Sequence, residues 1–377
     1  MPQKKALDFL LLGPVHPFRG GIADTQLAFG EALKKQGFKV QMWSFTQLYP
    51  SVLFPGTSQK STEKKIIASN VSQKIHAFNP LQWKKIANEI NALQPKNVVF
   101  RYWTPFLAPA WITIGKALDQ QIQKIGWVDN WVAHEPKPWD HWLTKRFEQQ
   151  MHGFATLSTS VGKQIEQVSK KRVWKGFHPI DFSLPKKSPL KKARKQLKYK
   201  ANKALILFFG LIRPYKGLEL LLAALETLPS VHLLIVGESY ENEKKYRSLI
   251  DKKGLNERVV WINRFVNHQE AALYFSACDG VVLPYRRATQ SGVVSLAYHF
   301  ETPLLVTNHP GIATPIDHDQ TGVICEPTSN ALAKGILHLV ETKNNSTFRK
   351  NLNQNKKNYS WEKFALEFSN FCLHEIN

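Results

Sequence analysis

Arg213 and Lys216 stand three positions apart in ALILFFGLIRPYKG, residues 204–217, between an apolar strand-like run ending in Gly210 and an apolar-periodic helix starting near Gly217. A helix start offers free N–H groups and a positive dipole end, and two cations beside it add charge for an anion. A phosphate or diphosphate suits the arrangement; the alternative is a pair of solvated loop charges. A second loop, Gly13 to Ala23, carries the pair Gly20-Gly21 just before another helix, where backbone can approach a ligand closely or simply turn tightly. After the apolar run Ile125 to Val128 come Asp129, Asn130 and then His134 beside Glu135. His134 is the best single candidate for proton handling in the first half, with Asp129 and Asn130 competing for the same duty.

These loops need strands that end together. Apolar runs at Leu7–Leu12, Val40–Phe45, Asn97–Tyr102, Ile125–Val128 and Ala155–Ser158 alternate with helical patterns, and the rhythm repeats from Ala204 to Cys325. The pattern predicts an α/β chain of two Rossmann-like doubly wound parallel-sheet domains facing across a cleft, with ligands at the carboxyl ends of the strands. The expected layout is a first domain over 1–180, a basic linker over 181–203 and a second domain over 204–358. A terminal helix over 359–377 is expected to pack back toward the first domain.

Composition bounds the reading further. A chain of 377 residues holds two sizeable cores, and 43% apolar content excludes disorder. No apolar run is long enough to span a bilayer, and Gly13-Pro14 cuts short the run that could imitate a signal peptide. Cys278, Cys325 and Cys372 are scattered without metal-ligand spacing, which predicts a reducing cytoplasm and no metal site. The net charge is +22, with +12 over residues 1–185 and nine cations in Lys186–Lys203 without an acidic residue. Such a field favours anionic surfaces. Lys163, Lys170, Lys171, Arg172 and Lys175 around Trp174 suggest peripheral docking on an anionic inner-leaflet membrane, against the alternative of an ordinary solvated lysine face. A nucleic-acid partner is disfavoured, because Lys186–Lys203 interleaves only Tyr199 as a stacking aromatic.

Read together, the pieces resemble a retaining, family-4-type (group 1) nucleotide-sugar glycosyltransferase with the GT-B fold. Gly20-Gly21-Ile22-Ala23, Val128 to Glu135, Phe209-Gly210 through Lys216-Gly217, Val236-Gly237-Glu238 and Asn263 to Val266 occur in family order. They are followed by Asp279 to Tyr285, Thr289-Gln290-Ser291-Gly292-Val293, and Gly311 before Thr321-Gly322. The resemblance implies that the second domain holds a nucleotide sugar as substrate, without metal or other cofactor, and that the first receives a glycan or lipid-linked acceptor. It places Arg213 and Lys216 on the diphosphate leaving group, the backbone N–H groups of Ser291, Gly292 and Val293 around the phosphates, and Phe265 and Val266 against the base. The loop holding His134 would lie near sugar and acceptor, and retention would follow from front-face substitution, in which the leaving phosphate helps deprotonate the acceptor.

This sequence departs from the family at two positions where many relatives carry glutamates, here Ala288 and Leu296. Neither can accept a hydrogen bond from sugar or ribose, and Thr289, Gln290 and Ser291 offer polar side chains instead. An inactive GT-B scaffold or regulatory subunit would also explain the missing glutamates. A sugar-nucleotide epimerase or hydrolase on the same fold would need carboxylates that do not cluster here.

Overall fold

A computed structural model describes residues 7–49, 59–60, 70–132, 137–181, 183–199 and 203–376. They divide into two compact units, one of residues 1–179 and 361–377, the other of residues 180–360.

The first unit is a parallel seven-stranded sheet in the order β3-β2-β1-β4-β5-β6-β7. Its strands are β1 (Phe9–Leu12), β2 (Val40–Gln47), β3 (Val71–His76), β4 (Asn97–Tyr102), β5 (Gln123–Val128), β6 (Gly153–Thr156) and β7 (Arg172–Lys175). The helices between them are α1 (Gly21–Lys35), α2 (Pro80–Leu93), α3 (Ala108–Ala117), α4 (Asp140–Glu148) and α5 (Thr159–Glu166). The central strands are buried on both faces, as continuous apolar runs such as FLLL and NVVF require of a helix-covered sheet.

The second unit is a parallel six-stranded sheet in the order β10-β9-β8-β11-β12-β13. It opens with α6 (Leu190–Gln196), followed by β8 (Ala204–Phe209), α7 (Leu218–Glu226), β9 (Val231–Val236), α8 (Glu243–Lys252) and β10 (Val259–Ile262). Then come α9 (His268–Ala277), β11 (Gly280–Leu283), α10 (Gly292–His299), β12 (Leu304–Thr307), α11 (Pro310–Asp319), β13 (Gly322–Cys325), α12 (Ser329–Val340) and α13 (Thr342–Asn355). Caps set several helix starts: Asn267 and Glu270 form a capping box at α9, and the Thr328 hydroxyl accepts the Ala331 N–H at α12.

The final helix, α14 (Trp361–His374), belongs to the first unit. Its Phe364 and Phe368 pack edge-on against Phe29 of α1, with ring centroids 5.5 and 4.9 Å away, and Phe364 reaches Trp174 at 4.7 Å. The segment expected as a linker does not stand apart. Arg194 of α6 is buried and donates to the Ala277 carbonyl at 2.9 Å and to Asp279 at 2.7 Å, so one cation of the expected basic linker anchors a helix of the second unit while Lys191, Lys192 and Lys195 stay exposed.

Candidate active site

Sheet order directs attention to two places. Neighbouring strands diverge in connection between β8 and β11 in the second unit and between β1 and β4 in the first, and open parallel sheets bind ligands outside the carboxyl ends at such points.

In the second unit, β8 runs into Gly210, whose φ of 100° lies in the left-handed region. The loop is tied to the end of β9: Ile212 N–H donates to the Glu238 carbonyl at 2.9 Å, and Tyr240 N–H returns to Ile212 at 3.1 Å. A 3-10 turn, Pro214–Lys216, follows, and Gly217 at φ 67° starts α7. A Cβ on Gly217 would fall 2.1 Å from the Pro284 carbonyl oxygen, so the turn sits directly on the segment after β11. This turn points Lys216 inward. Its side chain is 8% exposed and its Nζ lies 5.4 Å from the Tyr285 ring centroid. A Cβ on Gly210 would meet that Nζ at 2.9 Å and Val293 Cγ2 at 3.7 Å, so Gly210, Lys216 and the start of α10 crowd one point. No carboxylate pairs with Lys216 among the described residues. Burial lowers its pKa most; Tyr215 opposes that shift, and Arg213, the smallest influence, adds to it.

Around this ammonium the remaining loops close in. The Tyr285 hydroxyl is 3.3 Å from Ser291 Oγ, which accepts the Val293 N–H at 3.3 Å and so caps α10. The Tyr285 carbonyl is fixed by the Thr307 hydroxyl at 2.6 Å and contacted by His309 Nε2 at 3.0 Å. Gly311 permits the start of α11 to touch the loop before α10, since a Cβ there would lie 2.0 Å from the Thr289 carbonyl oxygen. Arg213 stands over the Tyr240 ring at 4.8 Å. At the end of β10, Phe265 is 48% exposed whereas Val266 is buried in the core that also holds Tyr285 and Val293. Chemically, the site combines two cations that pair with no carboxylate among the described residues, a capped helix start and an exposed ring: a receptor for a compact anion joined to an apolar, planar group.

In the first unit, Gly20 takes φ 106° as the N-cap of α1, and neither Gly20 nor Gly21 has an atom within 4 Å of where a Cβ would stand. Asp129 is buried at the end of β5. Arg101 of β4 grips it bidentately, Nε to Oδ2 at 2.5 Å and Nη2 to Oδ1 at 2.6 Å, and also donates to Thr25 of α1 at 3.1 Å. The guanidinium lies 3.5 Å over the Trp127 ring. One cation therefore joins the glycine-turn helix to the start of the loop that begins at Asp129.

Comparison with known proteins settles the class of the second unit. The sequence model of the family described as glycosyl transferases group 1 matches residues 190–359. The second unit belongs to the group 1 glycosyl transferases. The chain is 36% identical over 103 residues to a GDP-mannose:glycolipid 4-beta-D-mannosyltransferase of Xanthomonas campestris, a match covering 26% of this chain and 29% of that protein. The chain thus spans under a third of that relative's length. Among solved structures, sucrose-phosphate synthase from Thermosynechococcus elongatus superimposes with a TM-score of 0.78 at 20% identity, over 97% of this chain and 98% of that one. The Anabaena protein HepE, solved in complex with UDP, gives a TM-score of 0.74 at 17% identity over 96% and 98%. These likenesses show the fold to be GT-B, with both Rossmann-like domains present.

Within the group 1 domain, the structure brings Gly210, Lys216, Tyr285, Ser291 and Val293 together and places Arg213 on the same loop as Lys216. Gly292 is the first residue of α10, and Gln290 sits in the loop before it. Ala288 and Leu296 pack against the apolar core, so the two departures from the family pattern are filled by packing. His134 lies outside the described residues. Tyr285 and His309 carried no role in the sequence reading, although an aromatic directly after a buried strand and a histidine at a helix N-cap were visible there. Arg101 was legible as a charge inside an apolar strand; its partner, 28 residues on, was not.

Proposed function

We propose that the protein is a glycosyltransferase that moves a sugar from a nucleotide diphosphate sugar to a glycan or lipid-linked acceptor with retention of configuration. The observation that carries this reading is Lys216, a buried ammonium without a carboxylate partner among the described residues, at the strand ends of a group 1 domain. As the sugar–phosphate bond breaks, negative charge grows on the diphosphate, and Lys216 and Arg213 stabilise that charge more than they stabilise the bound donor. Phe265 supplies an exposed face for the base. Ser291 and the N–H groups at the start of α10 contact the phosphates, and Gln290 with Thr289 takes over sugar or ribose contacts in place of the glutamates.

On the acceptor side, Asp129 is engaged by Arg101 and serves to fix its loop, which leaves His134 as the group in that loop suited to proton handling. Charge neutralisation by Lys216 and Arg213 leaves no step that needs a metal ion, so transfer is expected to survive a chelator.

The test begins with donor binding. GDP, UDP and ADP are compared for the rise they cause in melting temperature, and the responding base is followed with its sugar in a transfer assay; GDP-mannose, the donor named for the Xanthomonas campestris relative, goes first. Failure of every nucleotide diphosphate to raise the melting temperature would remove the proposal. A second reading, a nucleotide-binding scaffold without transfer, is favoured by the apolar Ala288 and Leu296. Binding without turnover across the donor panel would select it.

A further inference from the structure

Large aromatic side chains stand in solvent near the carboxyl ends of β4 and β5 in the first unit. Trp139 and Trp142, at the start of α4, are 57% and 55% exposed. Phe106, in the 3-10 turn Pro105–Leu107 after β4, is 37% exposed, and that turn packs against α4. Phe78 extends the patch, its ring centroid 6.5 Å from that of Phe106. Cations interleave with the rings. Lys137 Nζ lies 5.6 Å from the Trp139 ring, the Arg146 guanidinium lies 4.9 Å from Trp142, and Lys145 is exposed beside it. Of the two carboxylates of α4, Asp140 turns to the Lys137 backbone N–H at 2.9 Å and Glu148, at the far end, meets Lys171 at 3.6 Å. Exposed indoles beside the outward cations Lys137, Lys145 and Arg146 suit one environment: the rings enter the boundary between headgroups and acyl chains while ammonium and guanidinium groups meet lipid phosphates.

We infer that this face docks the first unit on an anionic lipid surface. The inference deepens the proposed function by supplying a lipid-linked acceptor at the rim of the acceptor-side strands, yet docking itself does not depend on that reading. It also relocates the membrane contact expected from the sequence. Trp174 packs into α14, Lys175 pairs with Glu166 at 2.7 Å, and Lys171 reaches Glu148 at 3.6 Å, so that segment offers neither a free indole nor a full set of free cations. No helix among the described residues is long and apolar enough to cross a membrane.

Flotation of the full chain on phosphatidylcholine vesicles, with and without about 30% phosphatidylglycerol, tests it. The wild type is expected to float roughly tenfold better on the anionic vesicles. W139A/W142A and K145E/R146E lose that gain, whereas K163E/K170E retains it. All variants keep the melting-temperature rise with nucleotide diphosphate, which separates lost docking from lost fold and from failure of the donor reading. Equal flotation of wild type and W139A/W142A, or equal recovery on neutral and anionic vesicles, overturns the inference. So does self-association without lipid that W139A/W142A abolishes, which would assign the face to a second copy of the chain.

Discussion

Lys216 is costly to bury and pairs with no carboxylate among the described residues to offset the cost, so its removal separates function from stability. Lys216→Ala is expected to lower kcat/KM for the nucleotide sugar by about 100- to 1000-fold, while the melting temperature of the unliganded protein holds or rises because burial disfavours the charged form. Lys216→Arg should not rescue transfer, since a planar fork does not fit where the Gly210 backbone and the Tyr285 ring flank an ammonium. The pH dependence has a definite sign. Burial holds the free ammonium below the usual lysine range, with Tyr215 opposing and Arg213 adding a little, and a bound diphosphate restores it. Binding therefore takes up protons where free Lys216 is partly neutral, and affinity falls as pH rises through that lowered range, before an ordinary lysine would titrate. Calorimetry in two buffers of different ionisation enthalpy measures the uptake; none at any pH up to about 10 would contradict the assignment.

At the scale of elements, two glycines carry the site. Gly217→Ala puts a side chain at φ 67° and 2.1 Å from a carbonyl oxygen, and the strain is expected to cost the second unit about 1–3 kcal/mol or more in denaturant unfolding. Gly311→Ala forces α11 away from the Thr289 carbonyl, and the readout is weaker nucleotide affinity with little change in far-ultraviolet dichroism. The central strands were legible from apolar runs because helix-covered parallel strands are apolar on both faces, and β8, β9 and β11 fall where the runs do, whereas the edge strands β3 (VSQKIH) and β7 (RVWK), polar and half-exposed, carry no such run and were missed. Pairings that depend on distance in the sequence were not legible. Asp129 was open between proton handling and fixing its loop because nothing local reveals Arg101, and Trp174 read as an interfacial residue because its partner Phe364 lies 190 positions on. Phe265 and Val266 could equally have packed in the core or lined the base, and the structure divides them: Val266 faces the core while Phe265 beside it is exposed.

Taken whole, the molecule places its excess charge unevenly in function as well as in sequence. Arg194, Lys187 and Lys356, which add to the basic count, are occupied with Asp279 and Glu301 inside the second unit. The cations of α4 remain exposed, and raising salt from about 0.05 to 0.5 M is expected to release the protein from anionic vesicles without displacing a bound nucleotide diphosphate from buried Lys216. The role of α14 can be tested at this scale too. Deletion from Trp361 onward strips Phe29 and Trp127 of their aromatic cover and is expected to destabilise the first unit, as followed by tryptophan fluorescence, while the nucleotide-induced melting shift of the second unit persists.

The path of the chain, from the first unit into the second and back at Trp361, sets an order of events on the ribosome. The strands of the first unit emerge early, but the helix that covers Phe29 and Trp127 is made only after all of the second unit. The second unit can complete its sheet from residues already in hand, whereas the first must wait with an aromatic face open for the time it takes to translate residues 180–360. At about 5–20 residues per second that interval lasts roughly ten seconds or more, so nascent chains are expected to be captured by chaperones through their first-made half, and mutations that weaken that half should lower yield before they lower activity.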